Sequence, residues 1–133
     1  MQSSAPISNF TVLDSAVDPA LVYPAGAKRP VHYRSDGKRD HYKVWIYLAG
    51  GRVPFVESVT YRLHPSFGEP VHRVARTPAN PNCSLMIWTW GVFEVHATIR
   101  EKSGQVTEQT HLLSYDREFK QPGIVFVRDE SSA

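Results

Sequence analysis

Short stretches of alternating apolar and polar residues, separated by turn-forming residues about every ten positions, constrain this fold more than any other feature. In positions 55–63, the apolar residues expected on one strand face are Phe55, Val59, Tyr61 and Leu63. Positions 92–100 alternate in the same way. No stretch repeats its apolar residues at the 3.6-residue period of a helix. The pattern therefore predicts an all-β chain whose helices do not exceed about two turns.

Nine segments bounded by glycine, proline or asparagine are strand candidates, and we expect about seven or eight of them to form strands. They lie near positions 10–13, 30–33, 42–49, 55–63, 71–74, 84–89, 92–100, 105–113 and 123–127, with the first and the last the weakest. Short strands at this spacing are typical of an immunoglobulin-like antiparallel β-sandwich. The disulfide usual in that fold cannot form, because Cys83 is the only cysteine.

Length and composition predict one domain with its own hydrophobic core. Residues 1–30 contain four prolines and no sustained period, so we expect a partly irregular N-terminal arm there. We place the sandwich domain at 31–128 and a tail at 129–133. The sequence shows neither a secretory signal nor an apolar run of about 20 residues. We therefore expect a protein without a membrane partner that is cytoplasmic, or nuclear if its source has a nucleus.

Catalytic and metal-binding patterns are missing from the sequence. The six histidines do not pair at the spacing of metal ligands, and a single cysteine cannot complete a usual zinc motif. No hydrolase elbow is present, and Gly50-Gly51 is too short for a phosphate-binding loop. We expect a non-enzymatic protein without a cofactor.

Charge is uneven along the chain. The stretch Lys28–Lys43 carries six basic and two acidic residues, whereas the whole chain has a formal net charge of only +2. This stretch is either a solvated face or a docking surface for an acidic protein partner. Nucleic acid is not an expected partner, because aromatic residues within the stretch are few.

Two aromatic motifs do not fit any catalytic pattern. The first is Leu63-His64-Pro65-Ser66-Phe67, followed by Pro70; the second is Trp88-Thr89-Trp90-Gly91-Val92-Phe93. Together they resemble the signature of the YEATS domain, most closely its prokaryotic branch. In that family a Leu-His-x-Ser-Phe loop and a Gly-Trp-Gly-x-Phe turn build an aromatic pocket for acyl-lysine. The resemblance covers roughly residues 42–116 and implies the same sandwich fold.

The resemblance implies six ligand-binding residues: His64, Ser66, Phe67, Trp90, Gly91 and Phe93. Phe67 and Trp90 are expected to face each other across an open slot and to hold the flat acyl-amide between their rings. Ser66 would bond to the amide, His64 would form the floor, and backbone N–H groups of the turn would meet the acyl carbonyl. Acylation removes the charge of lysine and leaves a planar amide, which suits two rings and a few polar groups.

Each of these residues also has a purely structural interpretation. Phe93 follows the inward period of its strand, so it can belong to the core. His64 can be a hydrogen-bonded loop histidine, and Ser66 can cap a turn. Trp88 and Trp90 share a strand face, and we expect Trp88 to be the buried tryptophan and Trp90 the exposed one.

Departures from the family pattern leave the ligand open. Thr89 stands where the readers have glycine, so a different flat amide ligand is an alternative to acyl-lysine. The other function class is a protein-association module of a signalling or defence system that does not bind acyl-lysine. Such a module would act by strand addition at a sheet edge or by dimerisation.

Overall fold

The computed structural model describes residues 10–129, which form nine strands and two short 3-10 helices. The strands are β1 (Thr11–Ser15), β2 (Arg29–Ser35), β3 (Asp40–Ala49), β4 (Val56–Arg62), β5 (Val71–Ala75), β6 (Leu85–Thr89), β7 (Glu94–Glu101), β8 (Val106–Leu112) and β9 (Ile124–Arg128). The helices are Val53–Phe55 and Tyr115–Lys120. Each strand lies at an expected segment, and both weak candidates at the chain ends are strands. No helix within the described range is long and apolar enough to cross a membrane.

The expected domain boundaries remain a prediction. β1 and the start of β2 lie within the segment 1–30 that we assigned to an arm. Residues 1–9, and 130–133 of the expected tail, fall outside the described residues.

Two sheets contain all nine strands. The first has the order β1-β3-β2-β9, with β6 also paired to β3, and the second has the order β5-β4-β7-β8. The second sheet is antiparallel throughout. In the first sheet β2 runs antiparallel to β3 and parallel to β9. A parallel pair needs a long crossover, and the chain between β2 and β9 supplies it.

The chain divides into two compact units, of which the first comprises residues 10–13, 47–85 and 93–112 within the described range. It contains the whole second sheet. Val59, Tyr61 and Leu63 are buried, as their alternation predicts. Phe55 is 52% exposed instead, because a β-bulge between Val56 and Ser58 shifts the register and the preceding residues form a 3-10 turn.

Tyr61 is the largest fully buried side chain of the first unit. Its hydroxyl donates a hydrogen bond of 2.7 Å to the carbonyl of Cys83. Cys83 is also buried and adopts a left-handed backbone conformation, with φ of 50°. The Asn80 side chain supports the same loop, since it bonds to both the N–H and the carbonyl of Ser84. The Tyr61 bond thus satisfies the carbonyl of a strained residue.

The second unit comprises residues 14–46, 86–92 and 113–129 within the described range. The helix Tyr115–Lys120 is fixed to this unit by Glu118, whose carboxylate accepts hydrogen bonds of 2.7 Å from the Ser15 hydroxyl and the Ala16 N–H. The ring of Phe119 packs against Tyr42 at a centroid distance of 4.8 Å. Both of these rings are partly exposed, so they pack at the margin of a core whose buried residues are mostly aliphatic.

Replacing Tyr61 with phenylalanine is expected to lower the free energy of unfolding by about 1–3 kcal/mol, because the buried Cys83 carbonyl loses its donor. Urea denaturation measures the change. Tyr23→Phe is the matched control, since Tyr23 is partly exposed and its hydroxyl makes no hydrogen bond in the described structure. Equal stability of the two variants would show that this bond does not stabilise the loop.

Stability is also expected to fall as the pH rises above about 10. Burial raises the pKa of Tyr61, and burial raises the pKa of Tyr115 to about 12. In this range the unfolded chain releases protons that the folded chain keeps, so unfolding becomes easier by up to about 1.4 kcal/mol per pH unit for each such tyrosine. Urea denaturation at a series of alkaline pH values tests this. Tyr61→Phe should show a shallower decline, and an identical decline would contradict the assignment.

Candidate functional site

The loop between β4 and β5 holds the first of the two aromatic motifs. Its neck is closed by a hydrogen bond of 2.6 Å from the Leu63 N–H to the Pro70 carbonyl. Inside the loop, the Phe67 N–H donates to the His64 carbonyl at 3.0 Å. A hairpin pair of strands tied in this way can present loop side chains in a defined arrangement.

His64 and Ser66 form a small hydrogen-bonded unit on the surface of this loop. The Ser66 backbone N–H donates to Nδ1 of His64 at 3.0 Å, so Nδ1 must carry a lone pair. The Ser66 hydroxyl lies 2.8 Å from the same nitrogen and can therefore only donate to it. Both side chains are exposed. Because its proton is directed at His64, the Ser66 oxygen is left as an acceptor for an external N–H group.

Three rings meet beside this unit. The Phe67 and Phe93 rings have centroids 5.3 Å apart at an angle of 54°, and the His64 ring lies edge-on to Phe93 at 6.2 Å. Phe93 precedes β7 and stays partly exposed, whereas Val95 and Ile99 within β7 are buried. The alternation that suggested a core role for Phe93 thus begins only after it. We call His64, Ser66, Phe67 and Phe93 the loop cluster.

The turn after β6 holds the second motif, and it lies in the second unit. The Thr89 hydroxyl donates to the Gly91 carbonyl at 2.9 Å, and the buried Tyr115 hydroxyl donates to the same oxygen at 3.1 Å. The Gly91 N–H in turn donates to the Thr89 hydroxyl at 3.3 Å. Thr89, where the readers have glycine, closes this turn through its side chain. The Gly91 N–H, which we expected to meet an acyl carbonyl, already has a partner here.

Both tryptophans of this motif point away from the buried side of β6. Ile87 and Thr89 are buried, whereas Trp88 is partly exposed and Trp90 is 57% exposed. The Arg39 guanidinium lies 4.1 Å from the centroid of the Trp90 ring. The expectation that Trp90 is exposed is confirmed, but the expectation that Trp88 is a core residue is wrong. Successive residues of a strand face opposite sides, and in β6 the inward side belongs to the odd-numbered positions.

The structure therefore brings four of the six expected site residues together, as the loop cluster. Trp90 and Gly91 belong to the other unit, so the slot expected between Phe67 and Trp90 remains a prediction. No sequence pattern linked Tyr115 or Arg39 to the turn of Trp90, which both residues contact from distant positions. Within residues 10–129, no group of three histidine, cysteine or acidic side chains could hold a metal ion.

Solved structures with a similar fold include the yeast protein Yaf9. One crystal structure of this AF-9 homologue is 17% identical, with a TM-score of 0.51, and covers 79% of this chain. This chain spans 64% of that Yaf9 chain. A second, of the Yaf9 YEATS domain, is 18% identical with a TM-score of 0.50 and covers 84% of this chain and 79% of its own. A third, of the Yaf9 YEATS domain bound to H3K27ac, is 15% identical with a TM-score of 0.49, covering 84% and 78%.

These likenesses show the fold, an immunoglobulin-like β-sandwich, as the strand pattern predicted. No curated protein matches the sequence. The model of the prokaryotic YEATS domain matches residues 41–114, which is more than half of the chain and includes both aromatic motifs. The chain therefore belongs to the prokaryotic YEATS domain family.

Proposed function

We propose that this domain is a non-catalytic binding module for acylated lysine, such as acetyl-lysine or crotonyl-lysine, or for another flat amide on an apolar stem. The observation that supports the proposal most directly is the loop cluster. It combines an exposed hydroxyl oxygen, whose own proton is directed at His64, with the partly exposed rings of Phe67 and Phe93. Membership of the YEATS family supports the same assignment.

The chemistry of the cluster fits an acylated lysine better than a free one. The amide N–H of an acylated lysine can donate to the Ser66 oxygen, while its flat acyl group and its apolar stem can pack on the Phe67 ring. An ammonium group would lose hydration on packing against these rings, whereas the nitrogen of an acylated lysine carries no charge to desolvate. Yaf9, whose YEATS domain has been solved with H3K27ac, is a relative in fold that binds such a group.

We assign Trp90 as the second ring that stacks on the acyl-amide. Its place in the family motif and its exposure support this assignment. Stacking on an aromatic ring adds roughly 0.5–1.5 kcal/mol beyond the burial of area. Because immobilisation offsets much of this gain, we expect micromolar or weaker affinity. We further propose a cytoplasmic location.

A protein-association module without acyl-lysine binding is the second candidate. β5 and β8 form the two edges of the second sheet, and both expose large apolar side chains. Val71 on β5 and Leu112 on β8 are 51% and 60% exposed. Exposed apolar edges suit strand addition by a partner.

The ring substitutions Phe67→Ala and Trp90→Ala are each expected to weaken binding of acetyl-lysine and crotonyl-lysine peptides about 2- to 10-fold, because each removes one stacking surface. Isothermal titration calorimetry measures the affinity. Thermal melts should show losses well below the 3–5 kcal/mol of truncating a buried aromatic residue. Phe55→Ala is the control, since Phe55 is a ring outside the loop cluster whose exposure of 52% is close to the 57% of Trp90.

The combined variant Phe67→Ala with Trp90→Ala shows whether the two rings contact one ligand, because the affinity losses are then not additive. Unchanged affinity in both single variants would overturn the assignment of the rings. If the wild-type protein binds neither peptide, the association module becomes the better proposal.

The Ser66→Ala substitution removes the proposed acceptor and is expected to weaken peptide binding about 5- to 10-fold while leaving the thermal midpoint nearly unchanged, since Ser66 is exposed. Ser66→Thr keeps the hydroxyl and should retain most of the affinity. A peptide whose acyl-lysine amide nitrogen is methylated lacks the donor and gives an independent check. If it binds as well as the parent peptide, the Ser66 oxygen does not accept this hydrogen bond.

A further inference from the structure

One surface of the second unit combines every tryptophan of the chain with basic side chains. Three cations lie over three indole rings. The Arg34 guanidinium is 4.1 Å from the Trp88 centroid, the Arg39 guanidinium is 4.1 Å from the Trp90 centroid, and the Lys43 ammonium is 5.4 Å from the Trp45 centroid. We call these six residues the cation–tryptophan face.

The strand pairing explains why these residues share one face. β2 and β6 both pair with β3, so Arg34 on β2 reaches across β3 to Trp88 on β6. On β3, Lys43 and Trp45 alternate with the buried residues Val44 and Ile46. The strand residues of the set therefore stand on the side of the sheet opposite to its buried side chains. Arg39 directly precedes β3 and Trp90 directly follows β6, so this pair lies at the ends of the same two strands.

The cations of this face are not neutralised within the unit. No salt bridge among residues 10–129 involves Arg34, Arg39 or Lys43. The basic stretch contains two acidic residues, Asp40 and Asp36, and neither forms a salt bridge with these cations. Asp36 also makes hydrogen bonds of its own. One of its carboxylate oxygens accepts the Lys38 and Arg39 N–H groups at 2.8 and 3.0 Å, and the other lies 3.0 Å from Nε2 of His41. Arg34, Arg39 and Lys43 therefore form no ion pair within the described residues, and the six residues of the face carry a net positive charge.

A guanidinium that lies flat on an indole ring still presents its N–H groups along its edge. Those groups match the two oxygens of a carboxylate. The indole limits the motion of the side chain, so less conformational entropy is lost when an anion binds. Since a cation already covers one face of each indole, nucleobases have fewer open ring faces to stack on than a bare aromatic surface would give them. The arrangement favours carboxylates over bases.

We propose that the cation–tryptophan face binds an acidic, Asp/Glu-rich peptide segment of a partner protein. Two observations support this assignment: the positive charge of the surface, and the guanidinium edges of Arg34 and Arg39, which are available to carboxylates. Of the six residues of this face, only Trp90 also belongs to the proposed acyl-lysine site, and the argument from charge does not depend on acyl-lysine binding.

The test uses a fluorescein-labelled twelve-residue peptide of alternating glutamate and serine, with a glutamine–serine peptide as the uncharged control. Fluorescence anisotropy at about 150 mM salt should show binding of the acidic peptide only, and higher salt should weaken it. Arg34→Gln combined with Lys43→Gln should weaken binding at least about 5-fold. These two positions are chosen because neither contacts Trp90.

Arg62→Gln combined with Arg100→Gln is the matched control, because it removes the same charge from exposed positions of the second sheet. That variant should bind the acidic peptide within about 2-fold of the wild-type protein. Trp88→Ala should weaken binding as well, through the loss of the platform under Arg34.

Three results would overturn the proposal: no binding of the acidic peptide by the wild-type protein, equal losses in the two double variants, or tighter binding of a twelve-nucleotide oligothymidine than of the peptide. The acetyl-lysine titration of the Arg34/Lys43 variant keeps the two proposals apart. The affinity of this variant for the acetyl-lysine peptide should equal that of the wild-type protein, whether or not the variant has lost affinity for the acidic peptide.

Discussion

The burial of Tyr61 with a hydrogen bond to the Cys83 carbonyl is the constraint on which the first unit depends. Tyr61 lies on β4, which pairs with β5 on one side and β7 on the other. A tyrosine can be fully buried there only if its hydroxyl has a partner, and the loop before β6 supplies it. Since Tyr61 faces inward, the alternation of the strand puts Leu63 inward and His64 outward. The position of the loop cluster thus follows from the register of β4.

Hydroxyl groups then decide what the two motifs can offer to a ligand. The hydroxyls of Thr89 and Tyr115 both donate to the Gly91 carbonyl, so this oxygen is saturated and the turn is fixed from two sides. The Ser66 hydroxyl donates to His64 and keeps its oxygen available. The polar group on offer at the loop cluster is therefore an acceptor, which suits the N–H of an amide.

Local alternation was enough to predict the strands, because successive side chains of a half-buried strand alternate between apolar and polar types. It failed where backbone irregularity or long-range contacts decide the outcome. The bulge before Ser58 exposes Phe55, and no residue type in that stretch predicts a bulge. The side of β6 that faces inward depends on its pairing with β3, so Trp88 was misplaced. The family motif predicted the loop cluster, whereas Arg39 and Tyr115 reach the Trp90 turn only through the folded structure.

In the proposed acyl-lysine site, the guanidinium over Trp90 would also affect which form of lysine this ring tolerates. With Arg39 on one face, only the opposite face of the indole can receive a ligand. A lysine ammonium on that opposite face would lie about 7 Å from a fixed positive charge, which amounts to a repulsion of about 0.6 kcal/mol even in water. An acylated lysine carries no charge and escapes this repulsion. The arginine thereby works against the attraction that a bare indole exerts on any cation, and it biases the ring towards neutral flat groups.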